Sequence, residues 1–243
     1  MIEYFFHHGG RSHGDSRITI FAGHYGSGKT TLALNYAFWL KQRHQRVALC
    51  DLDIVNPYFR TADAARALQA AGIALISSTF ANTNVEAPAL PPEAKSVFDD
   101  HGVHAVIDLG GDDRGALALG RYARLLREEA DCQMLLVINQ YRPLTRSLPD
   151  LSLIRAEIEA AGKVPFTGIA NNSNLGGETT LSDIHASLPF AEEASQALGL
   201  PLRMTAVSRR LLPKEGSDGG QQDFNMGGSI FPVDIYGKSI WTI

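Results

Sequence analysis

The segment from Gly23 to Thr30 carries the residue types that bind phosphate. It reads GHYGSGKT and fits the pattern G-x-x-x-x-G-K-[ST], in which glycines let the backbone turn so that its N–H groups face a phosphate chain. The Lys29 ammonium would neutralise the β- and γ-phosphate oxygens, and the Thr30 hydroxyl would ligate Mg²⁺. The pattern therefore predicts a site for a nucleotide phosphate chain with Mg²⁺. The predicted contacts are Gly23, His24, Tyr25, Gly26, Ser27, Gly28, Lys29, Thr30 and Thr31.

A strand pattern and a helical pattern flank this loop and would hold it in place. Ile18–Ala22 predicts a buried strand that ends at Gly23, and Thr30–Gln42 predicts a helix with a broad apolar surface. The motif needs this strand–loop–helix context, because the positive end of the helix then faces the bound anion.

Two carboxylates stand at the end of the second predicted strand, Arg46–Asp53. Asp51 and Asp53 would point to the same side if the strand continues that far, because side chains alternate along a strand. Strand ends in a doubly wound sheet face the ligand crevice. Asp53 is therefore predicted to hold Mg²⁺ through water or to orient an attacking water. The alternative is a capping or turn role for Asp53 ahead of Asn56-Pro57.

The fourth predicted strand, His104–Gly111, ends in Asp108-Leu109-Gly110-Gly111. An aspartate at the tip of a buried apolar strand is the Walker B arrangement, which holds the magnesium shell. Gly111 is predicted to offer its backbone N–H to the γ-phosphate, which would make the following segment, 112–122, a switch. The alternative is that these glycines only build a turn.

Short apolar runs alternate with helical patterns along the chain, which is typical of a parallel sheet covered on both faces. The sequence therefore predicts a doubly wound α/β fold, a mostly parallel sheet of about seven strands with helices on both faces. The predicted strands are Ile18–Ala22, Arg46–Asp53, Ile73–Ser77, His104–Gly111, Gln133–Asn139, Phe166–Asn172 and Pro201–Val207. The predicted helices are Thr30–Gln42, Thr61–Ala71, Pro92–Asp100, Ala116–Ala130, Leu151–Ala161 and Ser182–Leu198, the last broken at Pro189.

The chain of 243 residues is predicted to form one nucleotide-binding domain over residues 17–212. Residues 1–16 are predicted to be a flexible leader, and its His7, His8 and His13 are interpreted as part of a polar segment rather than as a metal site. Residues 213–243 are predicted to be a Gly-rich loop followed by an apolar tail that docks on the same domain.

Composition weighs against several classes of protein. The formal net charge of −4 provides no global basic field for nucleic acid. The two cysteines form no C-x-x-C pair, which speaks against a thiolate metal site and fits a reducing cytoplasm. No apolar run reaches the roughly 18 residues that a membrane span needs. Four basic residues near the end of the domain are interpreted as a solvated surface: Arg203, Arg209, Arg210 and Lys214.

Four segments together resemble the MinD/ParA-type branch of P-loop ATPases, the CobQ/CobB/MinD/ParA nucleotide-binding domain. They read ITIFAGHYGSGKTTLALNYA, VALCDLDIVNPYFR, AVIDLGG and LLVINQYRP. The resemblance implies that Lys29 and Thr30 bind phosphate and magnesium and that Asp53 positions the hydrolytic water. It implies that Asp108 is the Walker B carboxylate and that Ile54–Arg60 is switch I.

His24 stands where the family usually carries a signature lysine, which in the family reaches across a dimer to the partner's nucleotide. Nucleotide-dependent homodimerisation is therefore an open expectation for this chain. A protonated His24 would substitute weakly, since the unperturbed pKa of histidine lies near neutrality. Arg60 and Arg114 are further candidates for a charge-stabilising finger, with an ordinary surface arginine as the alternative for each.

The segment Gly168–Thr180 bears on the choice of base. GTPases of the related metal-insertion chaperones carry N-K-x-D after a late strand, whereas this chain has Asn171-Asn172-Ser173-Asn174 without Lys-x-Asp. This favours ATP over GTP. The resemblance implies a base contact from an asparagine at this strand end, Asn171 first and Asn172 second. The alternative is that these asparagines build turns.

Three functions follow as hypotheses. The first is a low-turnover ATPase that hydrolyses ATP to ADP and phosphate and acts as a switch on an unidentified protein partner. The second is an ATP-dependent ligase or kinase for a small molecule, with acceptor candidates Asn82, Asn84 and Glu86 in the segment 79–93. The third is a nucleotide sensor or a metal-insertion-type GTPase. The terminal segment YGKSIWTI is too short for an amphipathic membrane helix and lacks a basic face.

Overall fold

The computed structural model describes residues 16–53, 62–77, 92–111, 113–213 and 229–235. Within these ranges, side chains are described except at positions 62, 63, 92–94, 96, 113 and 114. Several predictions fall outside the described residues: switch I at 54–60, the acceptor candidates Asn82, Asn84 and Glu86, residues 1–15 of the predicted leader 1–16, and residues 214–228 and 236–243 of the predicted loop and tail, which include Lys214.

The described strands form one sheet of eight parallel strands in the order β3-β2-β4-β1-β5-β6-β7-β8. The order reverses at β1, which places the first βα connection, the phosphate loop, at the centre of the sheet. The strands are β1 Ile18–Ala22, β2 Val47–Leu52, β3 Ala74–Ser77, β4 His104–Leu109, β5 Cys132–Ile138, β6 Gly168–Asn171, β7 Leu202–Ser208 and β8 Ser229–Val233.

Seven α-helices cover this sheet in the described part of the chain. The doubly wound α/β fold predicted from the sequence is confirmed. The helices are α1 Lys29–Lys41, α2 Ala62–Ala70, α3 Pro92–Asp99, α4 Asp113–Gly120, α5 Ala123–Glu128, α6 Leu148–Gly162 and α7 Leu181–Leu198.

Alternation along the central strands divides the core between the two faces of the sheet. In β1, Ile18 and Ile20 pack with α5, α6 and α7, whereas Phe21 packs with α1 and α2. Every residue of β1 is buried, on both faces of the sheet. This explains why its sequence, ITIFA, is almost continuously apolar instead of alternating with polar residues. Helix α1 lies across β1, β2 and β4 and so fixes the direction in which its N-terminus meets the strand ends.

The helix predicted over Ala116–Ala130 is wrong in extent, because two helices, α4 and α5, occupy the region. Helix α4 ends at Gly120, where a Cβ would lie 2.7 Å from the carbonyl oxygen of Ala161 in α6. Tyr122 then stacks on Phe98 of α3 with ring centroids 4.9 Å apart. Close packing on α6 and this aromatic contact therefore set the break, and neither is visible in local periodicity.

The predicted break at Pro189 is also wrong, since α7 runs unbroken from Leu181 to Leu198. A proline inside a helix removes one hydrogen bond, here to the carbonyl of His185. Both residues are exposed, so water can solvate that carbonyl. A capping box at Thr180 and Asp183 stabilises the start of the helix.

The eighth strand, β8, was not identified as a strand from the sequence. It pairs in parallel with β7 and places Phe231 beside Tyr36 of α1, with ring centroids 5.7 Å apart. Pro232 lies within it, and an edge strand tolerates a proline because one side of it needs no ladder hydrogen bond.

Candidate functional site

The phosphate loop connects β1 to α1 at the carboxyl edge of the sheet. Gly28 is the N-cap of α1 with φ 89°, a left-handed conformation that a residue with a Cβ rarely adopts. The Ser27 side chain is fully buried, whereas Tyr25 is 63% exposed at the tip of the loop. The N-terminus of α1 is therefore presented at the strand ends, as an anion site requires.

Lys29 is the first residue of α1, and its side chain is buried with only 5% of the residue exposed. Its Nζ donates a hydrogen bond to the carbonyl oxygen of His24 over 3.2 Å. The ammonium group thus folds back across the loop that it would share with a phosphate chain. The Lys29 charge and the positive end of the α1 dipole both create positive potential here, which favours a bound anion.

Thr30 and Asp108 meet across the site. Thr30 Oγ1 donates to Asp108 Oδ2 over 2.7 Å, although the two residues are 78 positions apart. Phe21 and Asp108 are partners in the β1–β4 register, so the carboxylate lies directly beside the strand that leads into the loop. The structure therefore brings together Thr30 and Asp108, two of the three residues predicted to bind magnesium.

Asp108 is 1% exposed, and burial raises the pKa of its carboxyl group to about 7. The nearby Lys29 charge and the Thr30 hydrogen bond oppose that rise, while Asp53 adds to it. Among the described residues, Asp108 Oδ1 is a buried oxygen without a hydrogen-bond partner. A buried carboxylate oxygen beside a threonine hydroxyl fits the hard oxygen ligation that Mg²⁺ prefers.

Thr30 and Asp108 are therefore the residues that would hold Mg²⁺, and Asp53 lies nearby. Within the described ranges, no group of three or more His, Cys, Asp and Glu side chains is placed to hold a metal ion. Mg²⁺ in nucleotide sites is usually held by one or two protein oxygens together with substrate phosphates.

Asp51 lies in β2, which stops at Leu52, so Asp53 lies just beyond the strand end and the strand is shorter than predicted. Asp51 is 4% exposed and pairs laterally with Asp108 in the β2–β4 register. The Asp53 backbone N–H donates to Asp51 Oδ1 over 2.9 Å, which fixes the turn that leaves the strand. Asp53 is half-buried at the edge of the site, where its charge acts on the carboxyl group of Asp108.

Gly111 packs directly against the phosphate loop. A Cβ at this position would lie 2.5 Å from the Tyr25 backbone nitrogen and 2.9 Å from the Tyr25 Cα. Only a glycine leaves room for the β4 end and the loop to approach this closely. Gly111 thus lies against the phosphate loop, and its predicted contact with the γ-phosphate stays a prediction.

Asn171 is fully buried, and both ends of its amide are engaged inside the protein. Its Nδ2 donates to Ser187 Oγ over 3.1 Å, and its Oδ1 accepts from Ser173 Oγ over 2.7 Å. A base contact by Asn171 stays a prediction, and it would require these bonds to be exchanged. Asn172 faces the phosphate loop instead, where its Nδ2 donates to the carbonyl oxygen of Ser27 over 2.8 Å.

His24 is half-buried at the start of the loop. Its Nδ1 lies 3.0 Å from the carbonyl oxygen of Tyr25, so the imidazole is held against its own loop. Thr31 is half-buried in the first turn of α1. The side chain of Arg114 and all of Arg60 lie outside the described residues, so the arginine candidates stay predictions.

Asn139 was not predicted as a site residue, yet it organises the loops beside the site. Asn139 is 1% exposed, and its Oδ1 accepts from the backbone nitrogens of Tyr141 and Asn174. It therefore joins the ends of β5 and β6. A polar residue directly after an apolar strand, as in LLVIN, is the signal that would have identified it.

Residues 18–168 match a family model described as the CobQ/CobB/MinD/ParA nucleotide binding domain. The match covers more than half of the 243 residues. The chain belongs to this family. It is a P-loop nucleotide-binding domain of the MinD/ParA type, which confirms the resemblance stated from the motifs.

Solved structures show the same fold at low sequence identity. Chloroplast FtsY from Physcomitrella patens aligns with a TM-score of 0.52 and 17% identity, covering 77% of this chain and 57% of that one. The cell division protein FtsY from Thermotoga maritima aligns with a TM-score of 0.50 and 21% identity, covering 78% of this chain and 61% of that one. The chain thus spans less than two thirds of either structure.

A comparison with curated proteins finds no match. In the part of the chain that the structure describes, no helix has the length and apolar character to cross a membrane.

Proposed function

We propose that this chain binds Mg·ATP at the phosphate loop, hydrolyses it slowly to ADP and phosphate, and acts as a nucleotide-dependent switch on a protein partner. The observation that carries the proposal is the hydrogen bond from Thr30 Oγ1 to Asp108 Oδ2. It joins the helix that bears Lys29 to a buried carboxylate whose second oxygen has no described partner. A cytoplasmic setting fits the two free cysteines.

Catalysis at this site would be positioning and electrostatics. Lys29 and the loop N–H groups would gather negative charge on the phosphates, as phosphoryl transfer requires. Thr30 and Asp108 would hold Mg²⁺, which supplies further charge neutralisation when bound. Asp53, half-buried at the edge of the site, would orient the attacking water.

The Asp53 role is tested by Asp53→Ala. We expect Mg·ATP affinity to stay within about twofold of wild type and phosphate release to fall at least tenfold, because only water positioning is lost. Phosphate release is measured by single-turnover kinetics. Unchanged turnover would assign Asp53 to the β2 turn alone.

Adenine is favoured as the base because the segment Gly168–Thr180 lacks Lys-x-Asp after β6. Competition between ATP and GTP for a fluorescent nucleotide analogue tests this. ATP should displace the analogue at a lower concentration than GTP does, and the reverse order would identify a GTP-binding site.

A switch requires that the γ-phosphate site be coupled to a surface. Gly111 touches the loop, and a Cβ on Gly115 of α4 would lie 2.8 Å from the Gly110 nitrogen, so α4 packs directly on this turn. Leu117 on α4 is 58% exposed and offers an apolar contact for a partner. A displacement at Gly111 would therefore be passed to α4.

Light scattering in ADP and in Mg²⁺ with a non-hydrolysable ATP analogue tests the homodimer form of this switch. A mass that doubles only with the triphosphate analogue would show that dimerisation proceeds with His24 in place of the signature lysine. An equal mass in both nucleotides would exclude it and direct the search to a heterologous partner or a nucleotide sensor.

A further inference from the structure

Asn172 makes a contact with the phosphate loop that base recognition does not require. It is 4% exposed, and its Nδ2 donates to the carbonyl oxygen of Ser27 over 2.8 Å, across 145 positions of sequence. Its own backbone is held on both sides. The Asn172 N–H donates to the carbonyl oxygen of Ile138 over 2.9 Å, and its carbonyl accepts from Asn174 Nδ2 over 2.7 Å. The amide is therefore a fixed donor aimed at the loop.

The acceptor of this bond belongs to the peptide between Ser27 and Gly28. A peptide unit is planar and trans, so its C=O and N–H point in opposite directions. When Asn172 holds the Ser27 carbonyl, the Gly28 N–H is directed away from Asn172. In phosphate loops with this motif, the backbone N–H groups bind the phosphate chain, so the direction of the Gly28 N–H bears on binding.

The glycines beside Ser27 are the reason why a restraint on this peptide would matter. Gly26 and Gly28, on either side of Ser27, have φ values of 78° and 89°. Glycines rotate with little steric hindrance, so this segment has intrinsically low resistance to a change of peptide orientation. The Ser27 N–H donates to the carbonyl oxygen of His24 and the Gly28 carbonyl accepts from the Leu32 N–H, each over 3.2 Å, but neither bond holds the Ser27 carbonyl. The hydrogen bond from the buried Asn172 amide adds that restraint.

The contact is also fitted closely in space. A Cβ on Gly28 would lie 2.1 Å from Asn172 Nδ2, so the asparagine amide fills the space that a side chain on Gly28 would take. A base contact that used the same N–H of Asn172 would break its bond to Ser27.

We infer that Asn172 is a positioning residue for phosphate binding, which holds the Ser27–Gly28 peptide so that the Gly28 N–H faces the phosphates. The inference rests on the proposed function, because it assumes that the loop binds a nucleotide phosphate chain. This role differs from a base contact in one measurable way. A residue that orients the loop affects the binding of any phosphate chain, including one that carries no base, whereas a base contact affects only nucleotides.

The test compares Mg·ATP with inorganic pyrophosphate and Mg²⁺, each titrated into wild type and into Asn172→Ala by calorimetry. Loss of one buried hydrogen bond predicts roughly tenfold weaker binding of both ligands, by the same factor. A base contact predicts weaker ATP binding with pyrophosphate unchanged, and that result would overturn the inference. Unchanged affinity for both ligands would overturn it as well.

Asn172→Asp keeps the shape of the side chain and reverses its role, because a carboxylate oxygen would then face the Ser27 carbonyl oxygen. It should lose more affinity for pyrophosphate than Asn172→Ala does. Equal or better binding by this variant would contradict the inference even where the alanine variant folds poorly.

Gln133→Ala is the matched control. Its carboxamide donates to Thr19 Oγ1 over 3.0 Å and to Tyr36 Oη over 3.2 Å, near the amino ends of β1 and β5 and away from the loop. It should lower the melting temperature without changing either affinity. A wild-type protein that binds neither ATP nor pyrophosphate would refute the proposed function and this inference together. A wild-type protein that binds both, with unchanged affinities in Asn172→Ala, would refute only the inference.

Discussion

Gly111→Ala is the substitution for which the structure gives the clearest magnitude. A methyl group at this position would lie 2.5 Å from the Tyr25 nitrogen, 2.9 Å from the Tyr25 Cα and 3.1 Å from the His24 carbonyl carbon. All three atoms are backbone, so no side-chain rotation relieves the contact. Ordinary contact begins at 3.4 Å, and the loop must therefore move by about 0.9 Å relative to β4.

Such overpacking typically costs about 1–3 kcal/mol. The strain is released when the loop moves out of its binding geometry, so the binding-competent loop carries most of the cost. Since about 1.4 kcal/mol corresponds to tenfold in affinity, Mg·ATP binding should weaken roughly 5- to 150-fold. The loss for ATP should exceed the loss for ADP if the Gly111 N–H contacts the γ-phosphate.

Calorimetric titration of Mg·ATP and ADP into both proteins measures these losses. Gly177→Ala is the control, because no atom lies within 4 Å of a Cβ there and its affinity should equal that of wild type. Wild-type ATP affinity in Gly111→Ala, with an unchanged melting temperature, would refute the close approach of β4 to the loop.

Two further predictions concern the rest of the molecule. The hydrogen bond from Arg17 lowers the pKa of Glu129, so this carboxylate stabilises the fold above its ordinary pKa and stops doing so as pH falls through the lowered value. Glu129→Gln should therefore lower the unfolding free energy at pH 7 by about 1.5–3 kcal/mol in urea titrations, the range for a hydrogen bond to a charged group, and this difference should narrow as the pH falls through the lowered pKa. Arg124→Ala removes one side of an exposed ion pair and should cost less than about 1 kcal/mol. A difference for Glu129→Gln that does not change with pH would contradict the assignment. Burial raises the pKa of Cys50 and of Cys132 to about 12. Because the reactive form is the thiolate, both cysteines should resist iodoacetamide at pH 8 until the protein is unfolded. Rapid labelling of the native protein would contradict their placement.

The phosphate loop was predictable because its determinants are local. The glycines, Lys29 and Thr30 lie within eight residues, and the strand and helix patterns adjoin them directly. Asp108 was predictable because it ends an apolar strand, and parallel strands bring their carboxyl ends to one edge of a sheet.

Features that depend on distant contacts were not predictable in the same way. The break after α4 depends on the close approach of Gly120 to Ala161, and the bond from Asn172 to Ser27 spans 145 residues. The pattern around Asn171 and Asn172 identified a polar strand end but could not say which side chain turns inward and which faces the loop. Helix α7 continues through Pro189 because water can solvate the carbonyl of His185 that the proline leaves without a hydrogen bond. The sequence pattern does not show which residues are exposed to solvent.

The most direct test of the central claim is the dissociation constant of Mg·ATP for wild type and for Lys29→Ala, measured by calorimetry. Lys41→Ala, at the far end of the same helix, controls for the loss of a lysine. If the loop binds the phosphate chain, Lys29→Ala should weaken binding by roughly 100-fold or more, because a buried charge partner of the phosphates is lost. Lys41→Ala should match wild type. Equal affinity in wild type and Lys29→Ala would contradict the account.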